Sequence, residues 1–560
     1  MKTLLSLLLL TASIAVYAKD TVLQIRGITG PALTNVEKRL SEYSQSNPLS
    51  ELNPEELRNQ TNKALQPFGY FKAEITVKNN SNKSIQINIH PGPIMRIATI
   101  KVQLFGEGAQ NPYLQKVLKN NPLQSGAPLD TKQYNLFKRS LNNTAEQLGY
   151  LHGTFKKAEI LVDETNNTAQ ITLLFDTGHQ YYFSQVQFDP TYIRPELLHR
   201  FVPFKPGQVY SMEQLLKFNN DLASSGYFNN VLVKPNISDS QTVPIQVHLQ
   251  PAPKYTYSLG LGYGTDTGVR GRAGMHIIPV NNKGHKFNAL AQGSLTQSAL
   301  QAQYVIPGSN PVTDQYSLTG NFSNLNYGAG YSNSMLVSLA QQHNLERFQR
   351  TLSLNSLYES FHYEAQPNSD QFVVYPKGTV SFTSAKSKLF SPSGYNLTFN
   401  ALGSSQAVLS KLNFVQSSVD AKGALMIEPL RLRLYGHALQ GYTQTPNINE
   451  LPLSLALLLG GTDNLKGYGF NSIGPGKTIS YGGFELQKET FKNWYLLGFY
   501  DAGSVYNPSP KDVQYDVGAG LMWVSPIGPI KIGFAQPITS NFQRLEHSGP
   551  RLIIRMGPDL

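Results

Sequence analysis

Few side chains in this chain have the type and spacing for covalent chemistry. The 560 residues include no cysteine, which excludes thiol catalysis and any disulfide framework. There is no His-Glu-x-x-His, no Gly-x-Ser-x-Gly and no phosphate loop ending in Lys-Ser or Lys-Thr. The 11 histidines are scattered, without metal-ligand spacing. "GLGYGTDTG" (Gly260–Gly268) has the look of a nucleotide loop, but no helix follows it. The chain is therefore not expected to be an enzyme, and no cofactor or metal is expected. What remains is a cation in an unusual setting. Lys466 stands in "LLLGGTDNLKGYGFNSIGPGK" (Leu457–Lys477), among six glycines and close to Tyr468 and Phe470. That stretch is too glycine-rich for a helix interior and too aromatic for a disordered linker. Its chemistry is that of a positioned charge.

The elements that position it come in two textures. The first 18 residues read as a secretory leader: Lys2, then the apolar "LLSLLLLTASIAV", then a small residue, Ala18, before the cut. An N-terminal anchor helix is the competing reading, but spanning a bilayer takes about 20 apolar residues. Cleavage after Ala18 removes only Lys2 from the net charge of +11 and leaves +10. The pI of 9.3 raises the question of nucleic acid. Export and the scattered Lys and Arg argue against that partner, so no nucleic acid is expected, and point instead to lipid phosphates.

Up to about Pro251 the chain repeats. "FGYF" (Phe68–Phe71), "LGYL" (Leu148–Leu151) and "SGYF" (Ser225–Phe228) each close a helical run. Their glycines, Gly69, Gly149 and Gly226, lie 80 and 77 residues apart and suit the left-handed position after a helix. A β-like run precedes each helix pair and two follow it. The unit is strand–helix–helix–strand–strand, three times over, with one larger α+β domain as the alternative. The expected boundaries are a leader at 1–18, modules at 19–93, 94–178 and 179–251, and a final domain at 252–560.

The final domain alternates. "YTYSLGLGY" puts Tyr255, Tyr257, Leu259, Leu261 and Tyr263 on one face, with small residues on the other. "YDVGAGLMW" behaves alike, and "IKIGF" and "RLIIRM" set Lys531, Arg551 and Arg555 on a polar face. A soluble sandwich also alternates. The leader, the tyrosine-rich strand ends and 11% aromatic residues favour an antiparallel transmembrane β-barrel. Its length suits 16 strands of roughly ten residues each, although composition equally allows 14 or 18.

The C-terminal third carries more specific marks. Lys466-Gly467-Tyr468, then Phe499-Tyr500-Asp501-Ala502-Gly503, then Gly518-Ala519-Gly520 through Ser525-Pro526-Ile527-Gly528-Pro529 resemble the motifs of the BamA/TamA superfamily of outer-membrane assembly proteins. The N-terminal units resemble its POTRA domains. Three units and the chain ending are similar to the TamA branch; the BamA branch usually has five, and two-partner secretion transporters have two. The resemblance implies an α+β and membrane all-β fold: three βααββ POTRA-like domains in the periplasm and a 16-stranded barrel in the Gram-negative outer membrane. It also implies clients that are unfolded β-barrel proteins, autotransporters among them, and a TamB-like partner anchored in the inner membrane.

In that family the loop motif folds into the barrel lumen and its Arg meets acids on neighbouring strands. Carried over, Lys466 takes the Arg position and Asp501 is the matched acid. Glu485 is a second acid, opposite Phe484 and Leu486 by alternation. Lysine keeps the charge but loses the planar fork, so a single-pronged contact to Asp501 is expected, shared with Glu485. The seam between first and last strands is expected near Tyr255–Tyr263 and Arg551–Gly557, with Tyr255, Tyr257 and Leu259 on the first strand and Leu552, Ile554 and Gly557 at the last. Gly549, Pro550, Gly557 and Pro558 bracket the last strand and either shorten its pairing or simply end it. A BamA-like general insertase, a passive secretion pore or porin, and an adhesin are the competing functions. Three periplasmic repeats argue against a plain porin.

Overall fold

The chain is described by a computed structural model covering residues 14–18, 21–46, 53–81, 84–238, 240–385, 387, 389–506, 513–526, 528–538, 549–558 and 560. Three small α+β modules precede a barrel. In the first, Thr21–Arg26 runs parallel to Ser84–His90, which pairs antiparallel with Glu74–Ser81. Helices Gly30–Ser46 and Pro54–Leu65 connect the first strand to that hairpin. The second module repeats this order with strands Arg96–Phe105, Thr154–Asp163 and Thr168–Asp176 and helices Pro112–Lys119 and Thr131–Gln147. The third repeats it again, with its last strand, Thr242–Pro251, central in the sheet. A boundary between two compact units runs through this third module.

Local sequence explains the shared plan. Asn53 and Asn111 each cap a helix, accepting the N–H two residues on, at 2.9 and 3.0 Å. Each is followed by a proline at the first helical position, where no N–H is needed. The first core is a layer of Leu23, Ile25, Ile87 and Ile89 from the sheet against Val36, Leu40, Leu57 and Leu65 from the helices. Gly69, Gly149 and Gly226 have φ of +85°, +83° and +81°, as a left-handed helix end requires. The carbonyls of Gly69 and Gly149 accept the N–H groups of Met95 and Tyr181 at 2.9 and 2.8 Å. The repeated glycine corner thus ends one helix and begins the link to the following module.

One segment departs from expectation. Ile14–Ala18, read above as the end of a leader, pairs antiparallel with Thr21–Arg26. In the uncleaved chain this short apolar run extends an open sheet edge. Lys2 and the residue after the expected cut lie outside the described residues.

Sixteen antiparallel strands among the described residues form the barrel. The first four are Tyr255–Gly264, Gly268–Ile277, Lys286–Gly293 and Gln297–Pro307. The eleventh to fifteenth are Leu432–Gln444, Thr478–Phe491, Trp494–Ser504, Gln514–Ser525 and Gly528–Pro537, and the last is Arg551–Met556. Strand length varies around the roughly ten residues expected. The fifth to eighth strands have 14 to 16 residues, whereas the last has six. The outward face is apolar: Leu259 and Leu261 are 89% and 91% exposed, which is tolerable only in lipid. Each strand pairs antiparallel with its neighbour in sequence, which gives the backbone the internal partners a bilayer demands. The first and last strands stand at the two ends of that order.

Candidate functional site

The loop between the eleventh and twelfth strands, 445–477, turns into the barrel. Leu459, Leu465, Tyr468 and Ile473 are buried with Ile479, Tyr481 and Val505 of the wall. Hydrophobic burial therefore seats the loop, and the charge it carries is buried with it. Lys466 Nζ lies 2.8 Å from Asp501 Oδ2, 3.2 Å from Asp501 Oδ1 and 3.3 Å from Glu485 Oε1. It also sits 4.7 Å from the centre of the Phe499 ring, a cation–π distance. One ammonium thus meets both oxygens of Asp501 and a second acid, where a single-pronged contact was expected. Tyr481 donates to Asp501 Oδ1 at 2.8 Å. Lys531 supports Glu485 from the fifteenth strand, Nζ to Oε2 at 2.7 Å, and Gln487 donates to the same oxygen at 2.8 Å. Glu485 and Asp501 both face the lumen. Leu497 and Phe499, which share Asp501's face, are buried there too, because this side of the lumen is packed.

Gly467 and Tyr468 make the rest of the seat. Gly467 donates its N–H to Asp516 Oδ2 at 2.8 Å. Its value is not a turn at positive φ, as its neighbours in sequence implied, but close approach. A Cβ there would lie 3.0 Å from both Asp516 Cβ and Pro537 N. Tyr468 is 1% exposed and donates to the Tyr515 carbonyl at 3.1 Å.

Four residues that sequence reasoning did not assign complete the site: Asp516, Lys531, Arg551 and Asp266. Arg551 begins the last strand and donates to the carbonyls of Lys466 and Tyr468. Its other nitrogen pairs with Asp266 Oδ1 at 2.8 Å, in the turn after the first strand. Asp266 Oδ2 in turn accepts from the Thr462 N–H and hydroxyl at 2.8 and 2.7 Å. Arg555, further along the last strand, pairs with Asp463 of the loop at 2.7 Å. The loop therefore clasps both edges of the seam. A sequence signal for Asp266 existed: it is the sole acid between Tyr255 and Pro307.

The seam itself lies higher on the first strand than expected. Its backbone link among the described residues is at Thr265, whose N–H donates to the Ile554 carbonyl at 3.3 Å. Ile554 N–H donates back to Thr265 Oγ1 at 3.1 Å. Leu552 and Ile554 belong to the last strand, and Gly557 follows it with φ of +135°. Tyr255, Tyr257 and Leu259 belong to the first strand, but in an antiparallel approach fixed at Thr265 and Ile554 they extend beyond the six-residue last strand. On that side they have no strand partner among the described residues.

Comparison with known proteins bears on the whole architecture. Residues 281–546 match the Omp85 superfamily domain, 22–91 match the POTRA domain described as TamA domain 1, and 181–252 match a POTRA domain described as surface antigen variable number repeat. Over 84% of this chain and 68% of the relative, the sequence is 21% identical to outer membrane protein assembly factor BamA of Neisseria meningitidis serogroup B. The crystal structure of BamA from Haemophilus ducreyi lacking POTRA domains 1–3 superposes with a TM-score of 0.68 at 15% identity. That match covers 82% of this chain and 98% of the other, and it shows a shared fold.

Proposed function

Because this chain belongs to the Omp85 superfamily, an outer-membrane barrel carrying periplasmic POTRA domains, we propose that it assembles β-barrel clients by pairing their strands with its own first barrel strand. Members of the superfamily act in outer-membrane protein insertion or secretion. The finer reading is a TamA-type factor. Its three modules receive unfolded clients, autotransporters among them, through sheet edges, and a TamB-like inner-membrane-anchored protein works alongside. The domain limits read from sequence, 19–93, 94–178, 179–251 and 252–560 after a leader at 1–18, belong to the same proposal.

One observation carries it. The first strand has ten residues, the last has six, and among the described residues their backbone link is confined to Thr265 and Ile554. Unpaired N–H and C=O groups on Tyr255–Leu259 are costly in lipid, so a client strand that pairs there is favoured without any nucleotide. The latch at Lys466, Gly467 and Tyr468, with Asp501 and Glu485, holds the loop inside and the seam's upper end shut. A loop packed into the lumen on the latch side weighs against a passive pore.

The absence of cysteine makes a clean test. Ser258→Cys on the first strand should form a disulfide with a cysteine in the last strand of a client during assembly. Depletion of this chain should lower client barrels in the membrane. Loss of one solute or one secreted protein, with client barrels unchanged, would instead point to a pore. The likeness to BamA supports a second reading, a general insertase, and depletion separates the two by the breadth of barrels lost.

A further inference from the structure

The lumen wall beside the seam carries charge that the latch does not use. On the second strand Arg270 and Arg272 face inward, while Val269 and Ala273 face lipid. Both arginines are exposed, and neither has an ion-pair or hydrogen-bond partner among the described residues. The sole acid from Tyr255 to Pro307 is Asp266, and Arg551 and Thr462 occupy both its oxygens.

Register explains where the two guanidinium groups can reach. Arg270 stands opposite Gly262 and Arg272 opposite Gly260, so the inner face of the first strand is bare there. A Cβ on Gly262 would lie 2.8 Å from Arg270 Nε and 3.3 Å from its Cγ. The side chain of Arg270 thus lies across the edge strand. A cavity of about 400 Å³ is lined by Gly260, Gly262, Arg270, Arg272, Gln292 and, from the end of the last strand, Met556. It touches both sides of the seam.

We propose that Arg270 and Arg272 form a carboxylate site for the strand that pairs with the first barrel strand. The proposal rests on the strand-pairing function above and names a chemical feature of the client. A strand added at that edge lies two strand spacings from the arginines, about 9–10 Å. An arginine and an acidic side chain together bridge that gap only if no side chain stands between them, which Gly260 and Gly262 ensure. Arginines at i and i+2 repeat at about 6.5–7 Å, the spacing of alternate residues on one strand face. The planar fork fits a carboxylate in two-pronged fashion. The carboxylate is either an acidic side chain on the client's lumen face or its C-terminal group. A lipid phosphate fits less well, because both arginines point away from the lipid face.

The test uses the full chain in nanodiscs. A labelled strand peptide of about ten residues carries two lumen-side glutamates, a free C-terminus and a cysteine for crosslinking to Ser258→Cys. Arg270→Ala with Arg272→Ala should raise its Kd about tenfold or more, with a weaker salt dependence. A peptide with both Glu→Gln and an amidated terminus should bind the two forms of the protein alike. Loss on amidation alone assigns the terminus, and loss on Glu→Gln alone assigns the side chains; either result supports the site. If the peptide crosslinks at Ser258→Cys but its Kd ignores the arginines, the carboxylate site is overturned and strand pairing stands. If no peptide crosslinks there, strand pairing fails and the site falls with it. If the arginines instead govern affinity for phosphatidylglycerol, with no effect on the peptide, the site is overturned in favour of lipid.

Discussion

The barrel has two unlike walls. On the latch side, the twelfth to fifteenth strands turn Glu485, Asp501, Asp516 and Lys531 into a packed interior, where Asp501 is fully buried. On the seam side, the first two strands turn glycines, Arg270 and Arg272 toward an open lumen. The first wall is held by dense charge pairing around one lysine. The second is held at its rim, by Thr265, Ile554, Asp266 and Arg551. The same chain thus builds a packed wall that anchors a loop and an open wall whose edge strand is only partly paired among the described residues. The loop joins them, since its Lys466 enters the packed wall while its Thr462 and Asp463 hold the two seam strands.

The largest test of that contrast is Lys466→Ala. It leaves Asp501 and Glu485 buried with one cation fewer, and breaking a buried pair from one side costs about 3–5 kcal/mol. Heat-modified gel mobility should shift to lower temperature, and client assembly should fall. Lys466→Arg, which keeps the charge, should retain most of both. An unchanged melting profile for Lys466→Ala would mean that apolar burial alone seats the loop.

Next in size is Gly467→Ala. A methyl group 3.0 Å from Asp516 Cβ and from Pro537 N must push the loop away from the fourteenth and fifteenth strands. Overpacking of this kind costs about 1–3 kcal/mol. Because the loop also holds Arg551 through the carbonyls of Lys466 and Tyr468, the damage should spread to the seam. Hydrogen exchange of the last strand would reveal the spread, and protection equal to that of the parent chain would uncouple the two walls.

Much of this architecture was legible in the sequence, for physical reasons that differ by region. The modules were readable because each glycine corner recurs with the same helix before it and the same hairpin after it. The barrel was readable because period-two alternation survives wherever one face meets lipid, as in Tyr515, Val517, Leu521 and Trp523. Lys466 and Asp501 could be paired because both sit in short motifs. Asp266 and Arg551 could not: they are 285 residues apart in sequence, and only closure of the barrel brings them together. The position of the seam was misjudged for a related reason. Alternation fixes which face a residue takes, whereas the stagger between first and last strands depends on how the closed sheet is sheared.

Asp266→Asn should loosen the seam while sparing the rest. Arg551 would keep its bonds to the loop carbonyls, and Thr462 would keep an acceptor, so the loss is one charged contact at a partly exposed site. About 1 kcal/mol is expected, read as a several-fold rise in exchange at the Ile554 amide with little change in global melting. A global shift as large as that of Lys466→Ala would show that the rim and the packed wall act as one unit.

The smallest effect on stability should come from Arg270→Ala with Arg272→Ala. Neither side chain has a partner to lose among the described residues, both are exposed, and removing two unneutralised cations from one face relieves their mutual repulsion. Melting should stay within about 0.5 kcal/mol of the parent chain, while strand-peptide affinity falls. That separation is what the contrast between the walls demands: on the latch side charge is paired inside the fold, and on the seam side the proposal leaves it for a client. A stability loss comparable to that of Gly467→Ala would place the two arginines in the structural set and erase the contrast.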